Sequence, residues 1–389
     1  MKAYDENFIS CIEALFDNFW ILRKEKEDLY YLIREYENEL RTYFNKNFHF
    51  RLVIKPEFVK LEKIIVDYKD WMKIESFRDT KDFVLFFCLL AFLDDKVDAQ
   101  FTLEDICDSI VSYYPNDHII WTENEGYNNR LTLIRVIRFA INKNLMFVVD
   151  RDLDGFKGNA SHAVLFQGTI MIKYFMRNLA YDLETANSFK DIIELHANEE
   201  KDLGVERKHR IYRKLFIEPV IYEDEVYDDE FAYLKQYAYS IKDHVDKYSD
   251  FQYEQYKSTV LLTRQEDKAD VTKVLFPEEK KNVSKLAIQF ATVLRNKVEE
   301  EEFVQDSKGR VELTNIDFTN ILKDVKSAYQ IYWTTNQKKA TIDSIVKELI
   351  DYLTEWNLCK VIDEYNLIIL DTLGRVEGKY EFEGETGEK

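Results

Sequence analysis

From Tyr127 to Asn144 the chain reads YNNRLTLIRVIRFAINKN, a stretch with no acidic residue in a protein whose formal net charge is -19. It carries Arg130, Arg135, Arg138 and Lys143. At 100° per residue, Leu133, Ile134, Val136, Ile137, Ala140 and Ile141 fall on one stripe. Arg135 and Arg138 fall opposite, with Leu131 between them. That spacing predicts a helix with one buried face and one basic face, starting near Asn128 or Asn129. Two apolar runs follow, LMFVV (residues 145–149) and AVLF (163–166), separated by a polar stretch with Gly155 and Gly158. Short β-prone runs around a flexible turn predict a hairpin. A helix feeding a two-stranded hairpin is the outline of a winged helix-turn-helix, a shape that offers surfaces to nucleic acid or protein.

The flanking segments extend this outline. Residues 82–93 are nearly all apolar and predict a buried helix. Thr102, with Asp105 three positions on, predicts the N-cap of the next helix. Near the C-terminus Thr341 caps a helix with the stripe Ile342, Ile345, Val346, Leu349, Leu353 and Trp356. Residues 358–362 and 367–370 then flank a tight turn. The expected fold is therefore α+β, mostly α, with tandem winged helix-turn-helix domains and helical connectors. The expected divisions are a helical region at 1–76, a winged-helix domain at 77–170, a helical connector at 171–309, a second winged-helix domain at 310–376 and a disordered acidic tail at 377–389. Within the first region, residues 48–54 alternate as a strand does. Within the connector, 170–195 and 284–294 predict helices, 220–229 a loop, and 231–258 has little periodicity.

Composition bounds the function class. A chain of 389 residues exceeds one ordinary core, and four prolines with ten glycines favour helices over a sandwich. An acidic surface opposes coating of DNA by the whole molecule, but permits one basic face or a basic partner. Cys11, Cys88, Cys107 and Cys359 form no CxxC pair, which predicts buried thiols. The N-terminus lacks the pattern of a signal peptide, and the most apolar run, residues 83–93, is far short of the roughly 20 residues that cross a bilayer. A cytoplasmic protein with no membrane contact is expected.

No motif points to chemistry. Residues 155–158, GFKG, lack the spacing of a phosphate-binding loop. DRDLDG, residues 150–155, begins like a calcium loop, but Ser161 stands at the twelfth position where a bidentate glutamate is required. The six histidines match neither HExxH nor a Cys2His2 set. Glu278, Glu279, Lys280 and Lys281 have nuclease letters without strand context. No catalytic residue, metal or cofactor is assigned.

The basic residues are the candidate site. Arg130, Arg135, Arg138 and Lys143 on the third helix, with Lys157 on the wing, are candidates for double-stranded DNA contact. Arg207, Lys208, Arg210, Arg213 and Lys214 form a second cluster. The competing reading pairs them with nearby acids or places them in a domain interface. The C-terminal helix offers Asp343, Lys347, Glu348 and Asp351, a net acidic face better suited to a protein partner or self-association.

RLVIKPEFVKLEK (residues 51–63), FTLEDI (101–106), NRLTLIRVIRFA (129–140) and RKLFIEPVIY (213–222) resemble the MukE-like, or kite, subunit family of Wadjet anti-plasmid SMC systems. The resemblance implies a non-enzymatic tandem winged-helix protein that tends to dimerise. It implies binding to the kleisin subunit and to the SMC ATPase, and help in positioning DNA at the ATPase heads. ATP hydrolysis and plasmid cleavage would then belong to other subunits. The alternatives are a stand-alone winged-helix DNA-binding regulator and a metal-dependent nuclease.

Overall fold

The computed structural model of the chain describes residues 6–115, 119–176, 186–188, 191–192, 203–264, 276–278 and 280–378. It is an α+β fold of helices and small antiparallel sheets. One local order occurs four times among the described residues: a helix, a strand, two helices, then two strands, with a further five-residue helix, Thr335–Lys339, between the two helices of the last copy. In each three-stranded sheet the last strand lies between the other two. The first module comprises α1 (Glu6–Asp17), β1 (Ile21–Leu22), α2 (Glu27–Glu35), α3 (Glu37–Phe48), β2 (Arg51–Ile54) and β3 (Phe58–Glu62). The second comprises α4 (Thr80–Leu93), β4 (Gln100–Thr102), α5 (Leu103–Tyr113), α6 (Glu123–Asn142), β5 (Met146–Asp150) and β6 (Leu165–Gly168). The third comprises α7 (Leu203–Ile217), β7 (Ile221–Tyr222), α8 (Asp228–Gln236), α9 (Ala238–Tyr248), β8 (Phe251–Gln255) and β9 (Thr259–Arg264). The fourth comprises α10 (Asn282–Glu299), β10 (Val311–Thr314), α11 (Asn315–Tyr329), α12 (Ile342–Glu355), β11 (Cys359–Val361) and β12 (Asn366–Ile369).

The modules are related in pairs. In the first, Arg51 faces Glu62 and Ile54 faces Val59; in the third, Gln252 faces Thr263 and Gln255 faces Val260, the same register 201 positions later. The second and third helices of both are joined by a single tyrosine with nearly the same backbone angles, Tyr36 (φ -92, ψ 16) and Tyr237 (φ -104, ψ 16). The second and fourth modules share a different local code. Thr102 with Asp105 and Thr314 with Asp317 each form a complete capping box before the second helix. Each third helix ends on an asparagine at positive φ, Asn144 (56°) and Asn357 (53°). The next amide reaches back five residues, Leu145 N–H to Ala140 and Leu358 N–H to Leu353. This is a left-handed helix stop, for which asparagine is the usual substitute for glycine. The chain thus holds two successive copies of a two-module half.

The two compact units cut across these halves. One unit contains residues 1–68 and 190–389, the other residues 69–189. Inside the larger unit, the first and third modules share one core. Phe8, Ile12 and Leu15 of α1, Leu40, Phe44 and Phe48 of α3, Ile211 and Leu215 of α7, and Ile241 and Val245 of α9 all lie in it. Equivalent residues meet across it. Tyr43 and His244, 201 positions apart, stack with ring planes 3° from parallel, and their Oη and Nε2 atoms are 3.3 Å apart. Phe16 and Phe216 stack at 5.6 Å. Like meeting like is the mark of an isologous two-fold interface, here closed within one chain. Aromatic pairs of this kind contribute about 0.5–1.5 kcal/mol each beyond the area they bury.

The fourth module is fastened to the third by charge. Arg310 holds Asp224 with two hydrogen bonds of 2.6 and 2.7 Å, and Arg375 holds Glu254 with two of 2.6 Å. Hydrogen bonds from Arg310 lower the Asp224 pKa to about 2, and those from Arg375 do the same to Glu254. The Tyr222 hydroxyl donates to the Asn357 carbonyl at 2.8 Å, and Thr259 donates to Asp371 at 2.6 Å.

Several expectations from sequence are corrected. Residues 1–76 are not simply helical, because β1, β2 and β3 form a sheet there. Residues 171–309 are not a helical connector, because they contain the whole third module and α10, the first helix of the fourth. Residues 220–229 are a strand, a 3-10 turn and a helix start, not a loop. The basic helix α6 begins at Glu123, several residues before Asn128. Of the helix expected at 170–195, Ile172–Phe175 is helical, and 177–185, 189–190 and 193–195 lie outside the described residues. So do residues 379–389 of the expected tail and His118, His196 and Glu279. The four cysteines are buried free thiols.

Burial among aromatic rings lowers the His244 pKa from 6.5 to about 3, and Lys208, Lys247 and Lys46 add to the effect. The folded protein keeps this ring neutral while the unfolded chain protonates it near 6.5. Stability from the neutral ring is complete above pH 6.5 and is withdrawn as the pH falls towards 3, by on the order of 4 kcal/mol in all. In His244→Tyr, which copies the residue at position 43, the difference in urea midpoint between pH 7.5 and 4.5 should shrink relative to wild type. An unchanged difference would contradict the assignment.

Candidate nucleic-acid interface

The ten basic candidates fall on α6 with its wing, and on α7. In the smaller unit, α6 is gripped from both sides. Asp82, fully buried at the start of α4, accepts hydrogen bonds from Arg78 N–H (2.7 Å), Asp79 N–H (3.2 Å) and Arg135 Nε (2.8 Å). Burial opposes ionisation of Asp82, but these donors outweigh it and hold its carboxyl below the ordinary value. Arg135 is thus a tie between α6 and the N-terminus of α4. Arg130 is buried and donates from Nε and Nη2 to the Lys157 carbonyl, each at 3.2 Å, and from Nη1 to the Trp121 carbonyl.

The connection between β5 and β6 folds back on α6. Phe156, on the short turn Asp154–Lys157, is 1% exposed and lies 6.4 Å from the Trp121 ring. Asp154 bridges Arg138 (2.7 Å) and Lys157 (2.9 Å). Within the DRDLDG segment Asp154 ties the turn to α6, while Asp150, Arg151, Asp152 and Asp154 all remain exposed. Arg138 and Lys157, both paired with Asp154, keep 52% and 43% of their side chains exposed, whereas Arg130 is buried and Arg135 is 19% exposed. Lys143 lies over the Phe139 ring, and burial lowers its pKa.

On α7 the cluster is turned inward, towards the first module and α8. Arg213 is buried and donates to the Phe48 carbonyl at 2.7 Å. Lys214 is buried, 2.6 Å from Asp67. Arg210 pairs with buried Glu230 at 2.8 Å, Lys208 bonds the Asn47 side chain at 3.0 Å, and Arg207 reaches Asp229 at 3.2 Å. Lys208, Arg213 and Lys214 tie α7 to the first module and the chain after it, and Arg207 and Arg210 tie it to α8, so all five have partners within the fold. On α12, Asp343, Lys347, Glu348 and Asp351 are all exposed, opposite buried Ile345, Leu349, Tyr352 and Leu353.

Sequence reasoning missed Asp82, Tyr43, His244 and the Asp224–Arg310 pair. Asp82 had a signal, as an acid three positions after Asp79 at the start of an apolar helix. Among the described residues, no group of three or more His, Cys, Asp and Glu side chains is gathered as a metal site, and no helix is long and apolar enough to cross a membrane.

A buried carboxylate stripped of its partner costs about 3–5 kcal/mol, whereas an exposed pair contributes less than about 1 kcal/mol. Arg135→Ala should therefore lower the melting temperature of the unit formed by residues 69–189 by many degrees, and Arg138→Ala should leave it nearly unchanged. Equal effects on thermal unfolding would contradict this division of roles.

The model of the family described as Protein of unknown function (DUF2398) matches residues 12–379, and the chain belongs to that family. No curated protein matches it.

Proposed function

We propose that this member of the DUF2398 family is a non-catalytic scaffold built of four winged helix-turn-helix modules. In this reading it is the cytoplasmic kite-type subunit of an SMC plasmid-defence complex, and it binds the kleisin subunit. The observation that carries the reading is where the third helices go. In a DNA-reading helix-turn-helix the third helix enters the major groove. Here α3 and α9 carry the stacked Tyr43 and His244 and contribute to one shared core. The wing of the second module packs on α6, and α12 exposes a net acidic face. Surfaces arranged this way suit protein partners better than a phosphate backbone.

The pseudo-two-fold core also supports a single copy per complex. The self-complementary surface that would pair two two-module subunits is occupied within one chain, so a homodimer is not needed. Auxiliary contact with double-stranded DNA in the assembled complex falls to Arg138 and Lys157.

Co-expression with the proteins encoded beside it tests the reading. One copy of the chain should purify with a kleisin and an SMC ATPase, and the isolated chain should show no duplex binding by filter assay at about 150 mM salt. Tight, sequence-specific binding by the isolated chain would instead establish the stand-alone regulator.

A further inference from the structure

The wings of the second and fourth modules differ in what they leave open. The second folds back and buries Phe156. The fourth ends in a short turn, residues 362–365, and presents apolar side chains to water. Tyr365 is 70% exposed, and Val361 and Ile362 are 52% exposed. Ile316, 72% exposed, stands at the start of α11 next to Asn315. Asn315 donates from its backbone to the Tyr365 carbonyl at 2.8 Å and from its side chain to the Glu364 carbonyl at 2.6 Å. Ile316 therefore belongs to the same tip.

The turn is held stiffly. The Asp363 carboxylate accepts from Tyr365 N–H at 2.7 Å, Asn366 N–H at 2.9 Å and the Asn366 side chain at 3.0 Å. The Ile362 N–H donates to the Asn366 carbonyl at 3.0 Å. A tip fixed before binding loses little conformational freedom on binding, and that favours affinity. Single exposed apolar residues need no explanation, but Tyr365, Ile362 and Ile316 at one rigid tip have the make-up of an interface anchor.

Charge selects the occupant. Asp363 and Glu364 are exposed on the turn, and exposed Glu312 and Lys360 flank Ile368 behind it, so the rim is net acidic. We propose that this wing tip is a protein-docking surface, and that it takes an apolar segment flanked by lysine or arginine on a partner protein. The apolar side chain covers Tyr365, Ile362 and Ile316, and the flanking cations face the acidic rim. The same rim repels a phosphate backbone or an anionic lipid surface, and it opposes the tip of a second copy.

The test uses the full chain co-expressed with the proteins encoded beside it, with a photo-crosslinking benzoylphenylalanine at position 365. Mass spectrometry should place the adduct on one partner segment that carries lysine or arginine within a few residues of an apolar side chain. Tyr365→Asp and Ile316→Asp should each cut recovery of that partner at least tenfold without changing the melting temperature. Val304→Asp, at an 83% exposed position on the loop before β10, should leave recovery unchanged. An adduct on a second copy, on DNA or on lipid, no adduct at all, or full recovery with both tip variants would overturn the proposal. This surface does not depend on the SMC reading. An adduct on a partner other than a kleisin would defeat that reading and leave the surface standing, and a kleisin bound equally well by Tyr365→Asp would do the reverse.

Discussion

The stack of Tyr43 on His244 lies where two equivalent modules meet, and the larger unit is organised around it. Two rings at corresponding positions can stack this closely only if the modules are related by a near two-fold rotation. The same relation brings Phe16 onto Phe216. The interface resembles the contact of a homodimer, yet both sides come from one chain. Covalent linkage removes the concentration dependence of such a contact, because the partner is always present at a high effective concentration. It also frees the two sides to diverge. One position holds a histidine whose ring is kept neutral by burial, and its counterpart holds a tyrosine.

Closing that interface changes what the basic residues do. Arg213 and Lys214 are buried and satisfied by the Phe48 carbonyl and Asp67. Burying cations is costly unless each is paired or hydrogen-bonded, and here each is. A chain with a net charge of -19 has acids in excess, so an inward-facing arginine has partners close by. Exposed acids include Asp343, Glu348 and Asp351 on α12 and Asp363 and Glu364 on the β11–β12 turn. The net charge therefore describes the outer surface, while many of the basic groups are structural ties inside it.

What could be read from the residues follows from the range of the interactions. The capping boxes at Thr102 and Thr314 and the stripe of α6 depend on neighbours three or four positions away, and they were legible. The helix-to-hairpin outlines of the second and fourth modules were legible for the same reason. The first and third modules were not, because β1 and β7 are two residues long and α2 and α8 are nine. Elements that short carry little periodicity, and their identity is set by pairing with strands about 40 residues away. Which of the two readings of the α6 arginines holds at Arg135 was not legible for a related reason. A helical wheel shows that Arg135 lies off the apolar stripe, but it does not show that Asp82, 53 positions earlier, waits on that side.

The contrast between the β5–β6 and β11–β12 connections shows how one module type yields opposite surfaces. Both third helices stop on a left-handed asparagine followed by leucine, and both enter the first wing strand in the same way. They diverge after the aspartate that follows, Asp150 in one wing and Asp363 in the other. In the second module the longer insertion has enough chain to return to α6, where Arg130 and Arg138 fix it and Phe156 is buried. In the fourth, Asp363 bonds the backbone of the turn directly, so the chain reverses at once. A turn that short has no residue to spare for covering itself. Its apolar side chains, Val361, Ile362 and Tyr365, are left exposed among the described residues.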